Sequence, residues 1–267
     1  MTRGNKIFAI ITFTLLTSLC IMAQEKWTKF PASFKHVQTN KLIGGEHLDS
    51  ALMEINDSTA FKVVLIGDSH VKGKYLPQSL ESTLKSAIPH LQFTSYGING
   101  AWVSKFQESP LMQKVYADKP NLIIVSFGTN EAHGPNYSEA VHTQEMINLI
   151  CRLEGRCPGA KIILTTPPGS FLSKRIGGTR RRPKFAANRN ENTPKVAKNI
   201  VNFAQTNKIA CWDIFTIAGG ELCACSNWRD GGLMQTDNVH YTAQGYNLMG
   251  KLLGEAIIKV YYERVAN

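Results

Sequence analysis

Residues 61–70 read Phe-Lys-Val-Val-Leu-Ile-Gly-Asp-Ser-His. The apolar run from Phe61 to Ile66 carries three β-branched residues and no polar/apolar alternation. That pattern predicts a short strand buried on both faces, ended by the glycine. Such strands belong to parallel sheets with helices packed on either side. Ligands of these sheets gather beyond the carboxyl ends of the strands. The carboxyl, hydroxyl and imidazole groups of Asp68, Ser69 and His70 follow directly, so chemistry is sought there and at the equivalent ends of the other strands.

Outward from this stretch the same pattern repeats. Strands are predicted at 61–66, 91–96, 121–127, 161–166 and 209–214. Helical periodicity lies near 75–87, 104–117, 138–154 and 192–206, with a further helix near 46–55. A last helix shows the stripe Tyr246, Met249, Leu253, Ile257, Val260. Strands alternating with helices give an α/β fold with a five-stranded parallel sheet and right-handed connections. A polar entry region covers about 24–45. No repeat or linker divides the remainder, so residues 24–267 are expected to form one domain.

Composition agrees with a folded core. The chain has 267 residues, 43% hydrophobic and 19% charged, which excludes a disordered, collagen-like or multi-span membrane protein. Thirty Lys and Arg against twenty Asp and Glu give a net charge of +10, pointing to an anionic partner or surroundings. At the start, Arg3 and Lys6 precede an uncharged, largely apolar run over 7–23 that ends at Ala23 before the polar Gln24-Glu25-Lys26. This is the layout of a signal peptide, residues 1–23, cut after Ala23. The competing reading is a retained membrane anchor; a lipoprotein at Cys20 is opposed by the bulk of Leu19. Cleavage leaves 244 residues at +8 in a secreted or periplasmic protein. Five cysteines remain, of which Cys151 and Cys157 are the disulfide candidates, while Cys211 has Cys223 or Cys225 as partners. A zinc site is disfavoured by the lack of any CxxC pair. Asn56 and Asn136 head Asn-x-Ser glycosylation signals that matter only in a eukaryotic source.

Four segments carry reactive groups past the strands: Gly67-Asp68-Ser69-His70, Gly97-Ile98-Asn99-Gly100-Ala101, Gly128-Thr129-Asn130-Glu131 and Asp237-Asn238-Val239-His240. Each alone reads as an ordinary turn or helix cap. Together they supply a complete acyl-transfer apparatus. A serine hydroxyl attacks only when a base takes its proton. His240 suits that role near neutral pH, and Asp237, three residues earlier, is close enough to orient the imidazole. The oxyanion then needs donors, available from the N–H groups of Ser69 and Gly100 and the side-chain amide of Asn130. Glu131 is read as a brace for the Asn130 loop; the role of His70 stays open.

The four blocks resemble those of the SGNH (GDSL-type) hydrolase superfamily, in which Ser, Gly, Asn and His come from separate segments, here Ser69, Gly100, Asn130 and His240. The resemblance spans about residues 60–262 and implies a flavodoxin-like three-layer α/β/α sandwich. His70 departs from the Leu usual at its position. Finer resemblance is to bacterial peptidoglycan O-acetylesterases and related carbohydrate acetylesterases, through residues 67–70, 128–132, Thr165-Thr166-Pro167-Pro168, Gly219-Gly220 with Trp228, and 237–246. It implies a serine esterase that removes O-acetyl groups from peptidoglycan or another polysaccharide. Alternatives are a lipase or thioesterase-like acyl hydrolase, transfer of the acetyl group to a sugar, and a non-catalytic glycan-binding protein. The nucleophile elbow Gly-x-Ser-x-Gly of α/β-hydrolases is not met, since His70 and Val71 follow Ser69. With no P-loop, His-Glu-x-x-His or dinucleotide fingerprint, no cofactor and no metal are expected.

Residues 174–189 hold Lys174, Arg175, Arg180, Arg181, Arg182, Lys184 and Arg189 without an acid. Following the fourth strand, they are expected as a loop over the ligand edge. Arg180, Arg181 and Arg182 are candidate contacts for an anionic substrate polymer; a solvated surface loop is the alternative. The expected partner is an acetylated carbohydrate or cell-wall glycan. Nucleic acid is excluded for want of any recognisable module, and a membrane enters only if the N-terminal segment is retained.

Overall fold

The computed structural model describes residues 27–266; the segment read as a signal peptide lies outside them. The strands β1 (Phe61–Gly67), β2 (Leu91–Gly97), β3 (Leu122–Ser126), β4 (Lys161–Thr165) and, after the hairpin β5 (Phe171–Gly178) and β6 (Pro183–Arg189), β7 (Ala210–Trp212) complete the inventory. Five of them form one parallel sheet in the order β2-β1-β3-β4-β7. The helices are α1 (Asp49–Leu52), α2 (Ser69–Lys72), α3 (Tyr75–Lys85), α4 (Val103–Gln107), α5 (Leu111–Asp118) and α6 (Thr129–His133). They continue as α7 (Glu139–Arg156), α8 (Thr193–Thr206), α9 (Ile214–Ile217), α10 (Gly220–Asp230) and α11 (Ala243–Val265).

The unalternating apolar run of β1 has a direct cause. Val63 and Leu65 face one core with Leu80 and Leu84 of α3 and Leu253 and Ile257 of α11. Val64 and Ile66 face a second core with Phe106, Met112, Leu149 and Ile200. Both faces are covered, giving the three-layer α/β/α sandwich. Each such side chain stabilises the fold by about 1.5–3 kcal/mol on full burial. On the first face α11 and α3 approach closely at Gly250, where a Cβ would come within 2.7 Å of Ser79 Cβ and 2.8 Å of the Leu80 nitrogen. The polar entry region lies along this side: Thr28 donates to the Glu255 carboxylate through its N–H (3.0 Å) and hydroxyl (2.6 Å). An antiparallel bridge from Ile43 to Cys211 covers the β7 edge.

Several elements differ from their expected form. The helix expected over 104–117 is split into α4 and α5 at Pro110, which has no N–H to continue the first. The helix expected near 46–55 is a 3-10 turn, Gly45–Leu48, running into the short α1. The last sheet strand is only three residues long, because Asp213 turns the chain into α9 by accepting from the Thr216 N–H. Residues 174–189, expected as a loop, instead belong to the antiparallel β5–β6 hairpin, with an irregularity between Arg175 and Gly177. Its charged, exposed strands lack the period that marks a half-buried strand in sequence.

The disulfide expected between Cys151 and Cys157 is corrected: both thiols are free, as are those of Cys211, Cys223 and Cys225. Cys151 is exposed within α7, whereas Cys157 is buried at its C-terminal cap. Six helical residues rise about 9 Å and turn the two side chains to different sides, beyond the reach of an S–S bond.

Candidate active site

Three of the four blocks follow β1, β2 and β3 at their carboxyl ends, and the loop before α11 brings the fourth. Past β1, Asp68 caps α2, its Oδ1 accepting from the His70 N–H at 2.9 Å. This turn leaves Ser69 half-buried at the first position of α2, with its N–H unpaired among the described residues.

Asp237 and His240 are arranged by their own turn. Asn238 takes a left-handed conformation, φ 59°. Asp237 Oδ1 then accepts from the N–H groups of Val239 and His240, both at 2.9 Å. Its other oxygen, Oδ2, lies 2.7 Å from His240 Nδ1. The opposite ring nitrogen, Nε2, lies 2.9 Å from Ser69 Oγ, across 171 residues of sequence. Burial raises the Asp237 carboxyl, but the Val239 N–H, the His240 side chain and the His240 N–H together hold it below its ordinary value. Ser69, His240 and Asp237 are thus joined in one hydrogen-bonded line.

Gly100 has φ 63°, and a Cβ there would meet nothing within 4 Å. The glycine serves the left-handed backbone on an open face, where its N–H is unpaired among the described residues. Asn130 Nδ2 donates to the Ala101 carbonyl at 3.0 Å and, at a longer 3.3 Å, to Asp68 Oδ2. Its amide therefore sits between the Ser69 and Gly100 blocks. Glu131 is buried and accepts from the Val103 N–H at 2.8 Å through Oε1 and from the Gly128 N–H at 2.9 Å through Oε2. It staples the loop after β2 to the loop after β3. Burial raises its carboxyl to about 7, against these N–H groups. Asp68, buried too, is raised to about 8 chiefly by desolvation.

His70 lies beneath the line, its ring centroid 5.4 Å from that of His240. Its Nδ1 is 2.8 Å from the Tyr246 hydroxyl, and its Nε2 is buried without a partner. Burial, then the neighbouring His240, lower its imidazole to about 3, so it is neutral at physiological pH. Tyr241, one residue past His240, donates to the Gly169 carbonyl at 2.6 Å and packs edge-on against the buried Trp228. Trp228 thus supports the loop from below.

Arg180, Arg181 and Arg182 form the hairpin tip between β5 and β6, exposed, with no side-chain hydrogen bond or ion pair to Ser69, His240 or Asp237. The hairpin base is near the site: the Phe171 N–H donates to the Asn238 carbonyl at 2.9 Å. His133 was not singled out from sequence. Its Nε2 lies 2.9 Å from Ser170 Oγ, and burial, then His240, lower its imidazole. The only signal was its place at the end of the Asn130 block. Among the described residues no three His, Cys, Asp or Glu side chains are placed to hold a metal ion.

The model of the family described as GDSL-like Lipase/Acylhydrolase matches residues 63–253. Among solved structures, a peptidoglycan O-acetylesterase is similar at TM-score 0.66 and 16% identity, over 82% of this chain and 96% of that one. A lipase/acylhydrolase from Enterococcus faecalis is similar at TM-score 0.56 and 19% identity, over 74% and 96%. An acetylxylan esterase from Geobacillus stearothermophilus, as a catalytic mutant, is similar at TM-score 0.54 and 14% identity, over 76% and 96%. At these identities the structures share the fold. No curated protein matches the chain.

Proposed function

Since the chain belongs to the GDSL-like lipase/acylhydrolase family, we propose that it is a serine esterase that removes O-acetyl groups from carbohydrate outside the cytoplasm. The substrate is peptidoglycan or another wall or plant-type polysaccharide. The observation that carries this reading is the line from Ser69 Oγ through His240 to Asp237, at 2.9 and 2.7 Å. Ser69 Oγ attacks the acetyl carbonyl while His240 Nε2 takes its proton, and Asp237 stabilises the imidazolium. The tetrahedral oxyanion receives the N–H groups of Ser69 and Gly100. Asn130 turns its amide to it by giving up the longer contact to Asp68. Collapse breaks the C–O bond to the sugar, whose oxygen takes the proton from His240, leaving acetyl-Ser69. Water, deprotonated by His240, attacks the acyl carbon, releasing acetate and restoring the serine.

A short acyl group is favoured by the likeness to a peptidoglycan O-acetylesterase and an acetylxylan esterase. The longer-chain reading is favoured by the family's own description as lipase and acylhydrolase, and rates on acetate against octanoate esters separate the two. The direct test is acetate release from O-acetylated peptidoglycan and from acetylated xylan, side by side. Ser69→Ala is expected to lower it by about 10⁴-fold or more. Release undiminished in that variant removes the mechanism.

A further inference from the structure

Trp102 stands apart from the other tryptophans near the core. Trp212 and Trp228 are buried, whereas Trp102 is 41% exposed. Only Ala101 separates it from Gly100, so the two Cα atoms lie within about 7 Å of each other. Its backbone is held on both sides. The carbonyl of Ala101 before it accepts from Asn130, and the N–H of Val103 after it donates to Glu131. The indole is held as well: a Cβ on Gly134 would come within 2.9 Å of its Cη2 and 3.5 Å of its Cζ2. Glycine there lets the six-membered ring settle on the backbone after α6.

The result is an aromatic ring, partly open to solvent, carried on the loop that holds Gly100 and unused by the triad chemistry. Next to it runs a shallow groove of about 80 Å³, its apolar side made by Trp102, Tyr137 and Val141 and its polar side by Asn136, Ser138 and Glu145. An apolar ring flanked by amide, hydroxyl and carboxylate side chains matches a pyranose ring. Such a sugar presents C–H groups on its faces and hydroxyls around its rim, which suits stacking with hydrogen bonds at the edge. Apolar acyl chains use no such rim.

We infer that Trp102 and the groove beside it form a sugar-binding subsite that seats a pyranose ring of the substrate next to the ester under attack. This rests on the carbohydrate reading above. The subsite sets specificity for the sugar and takes no part in bond breaking.

The test compares wild type, Trp102→Ala and Trp102→Phe on two acetate esters: an O-acetylated chito-oligosaccharide and ethyl acetate, which has no ring. Trp102→Ala is expected to raise KM for the sugar ester about tenfold, with kcat little changed and ethyl acetate turnover unaltered. Trp102→Phe should recover part of the loss. Unchanged KM for the sugar ester overturns the subsite. So does an equal fall on both esters, which would make the indole a support of the oxyanion loop. If wild type cleaves ethyl acetate but no sugar ester, the carbohydrate reading itself falls, and the subsite with it. That outcome is visible before any variant is made.

Discussion

At the scale of single residues, His70 and Asp68 carry the largest electrostatic costs in the site. An unfolded chain protonates His70 near its ordinary 6.5, whereas the folded protein refuses the proton until about 3. The unfolded state therefore binds more protons between these values, and stability falls as pH drops through that window. Asp68 runs the other way. The folded protein keeps its proton up to about 8 instead of 3.8, so stability falls as pH rises through that interval. The variant His70→Leu should remove the first slope and leave the second. Urea midpoints at pH 7 and 4.5 are the measurement. Wild type should lose about 2–3 kcal/mol more than the variant between the two, and equal losses would show that His70 is not held neutral. The imidazole at this position departs from the superfamily pattern, and its burial against Tyr246 explains how it is accommodated.

At the scale of elements, the loops after β2 and β3 act as a unit because one buried carboxylate bonds both. Glu131→Ala would strand the Val103 and Gly128 N–H groups, each worth about 1–3 kcal/mol when left unsatisfied. A lowered urea midpoint together with lower kcat on a small acetate ester is expected. An unchanged midpoint would mean that the loops are fixed by other contacts. This staple was partly legible in the sequence, where Glu131 reads as a brace for the Asn130 loop. The strand cores and reactive turns were legible for a physical reason: two-sided burial forces apolar runs, and sharp turns force glycine beside the reactive side chains. The β5–β6 hairpin was hidden because its strands are solvated and cationic, so burial leaves no period on them. The disulfide reading failed for a related reason. Close spacing in sequence suggested a bridge between Cys151 and Cys157, but α7 carries them to different sides.

At the scale of the whole molecule, seven of the thirty positive side chains fall between Lys174 and Arg189 with no acid among them. The hairpin tip is their centre, and its base is bonded to the loop that carries His240. We propose that this arm draws an anionic polymer toward the site by its field, without touching the reacting atoms. Replacing Arg180, Arg181 and Arg182 with Gln should raise KM on O-acetylated peptidoglycan by about tenfold at low salt. The difference should vanish near 1 M salt, where screening falls to about 3 Å. Turnover of ethyl acetate should be unaffected throughout. A salt-independent effect, or an equal effect on ethyl acetate, would assign the arginines to folding or to the reaction itself.

The chain spacing of the triad has a consequence for assembly and breakdown. The base and its orienting carboxylate belong to one tight turn, three residues apart, whereas the nucleophile arrives from 171 residues away. An opened chain that kept this turn would retain an oriented imidazole with no hydroxyl to activate. Turnover therefore reports whether the two ends of the sheet topology have met. A nick anywhere between β2 and α11 that let the halves drift apart would silence the enzyme without altering any of the three side chains.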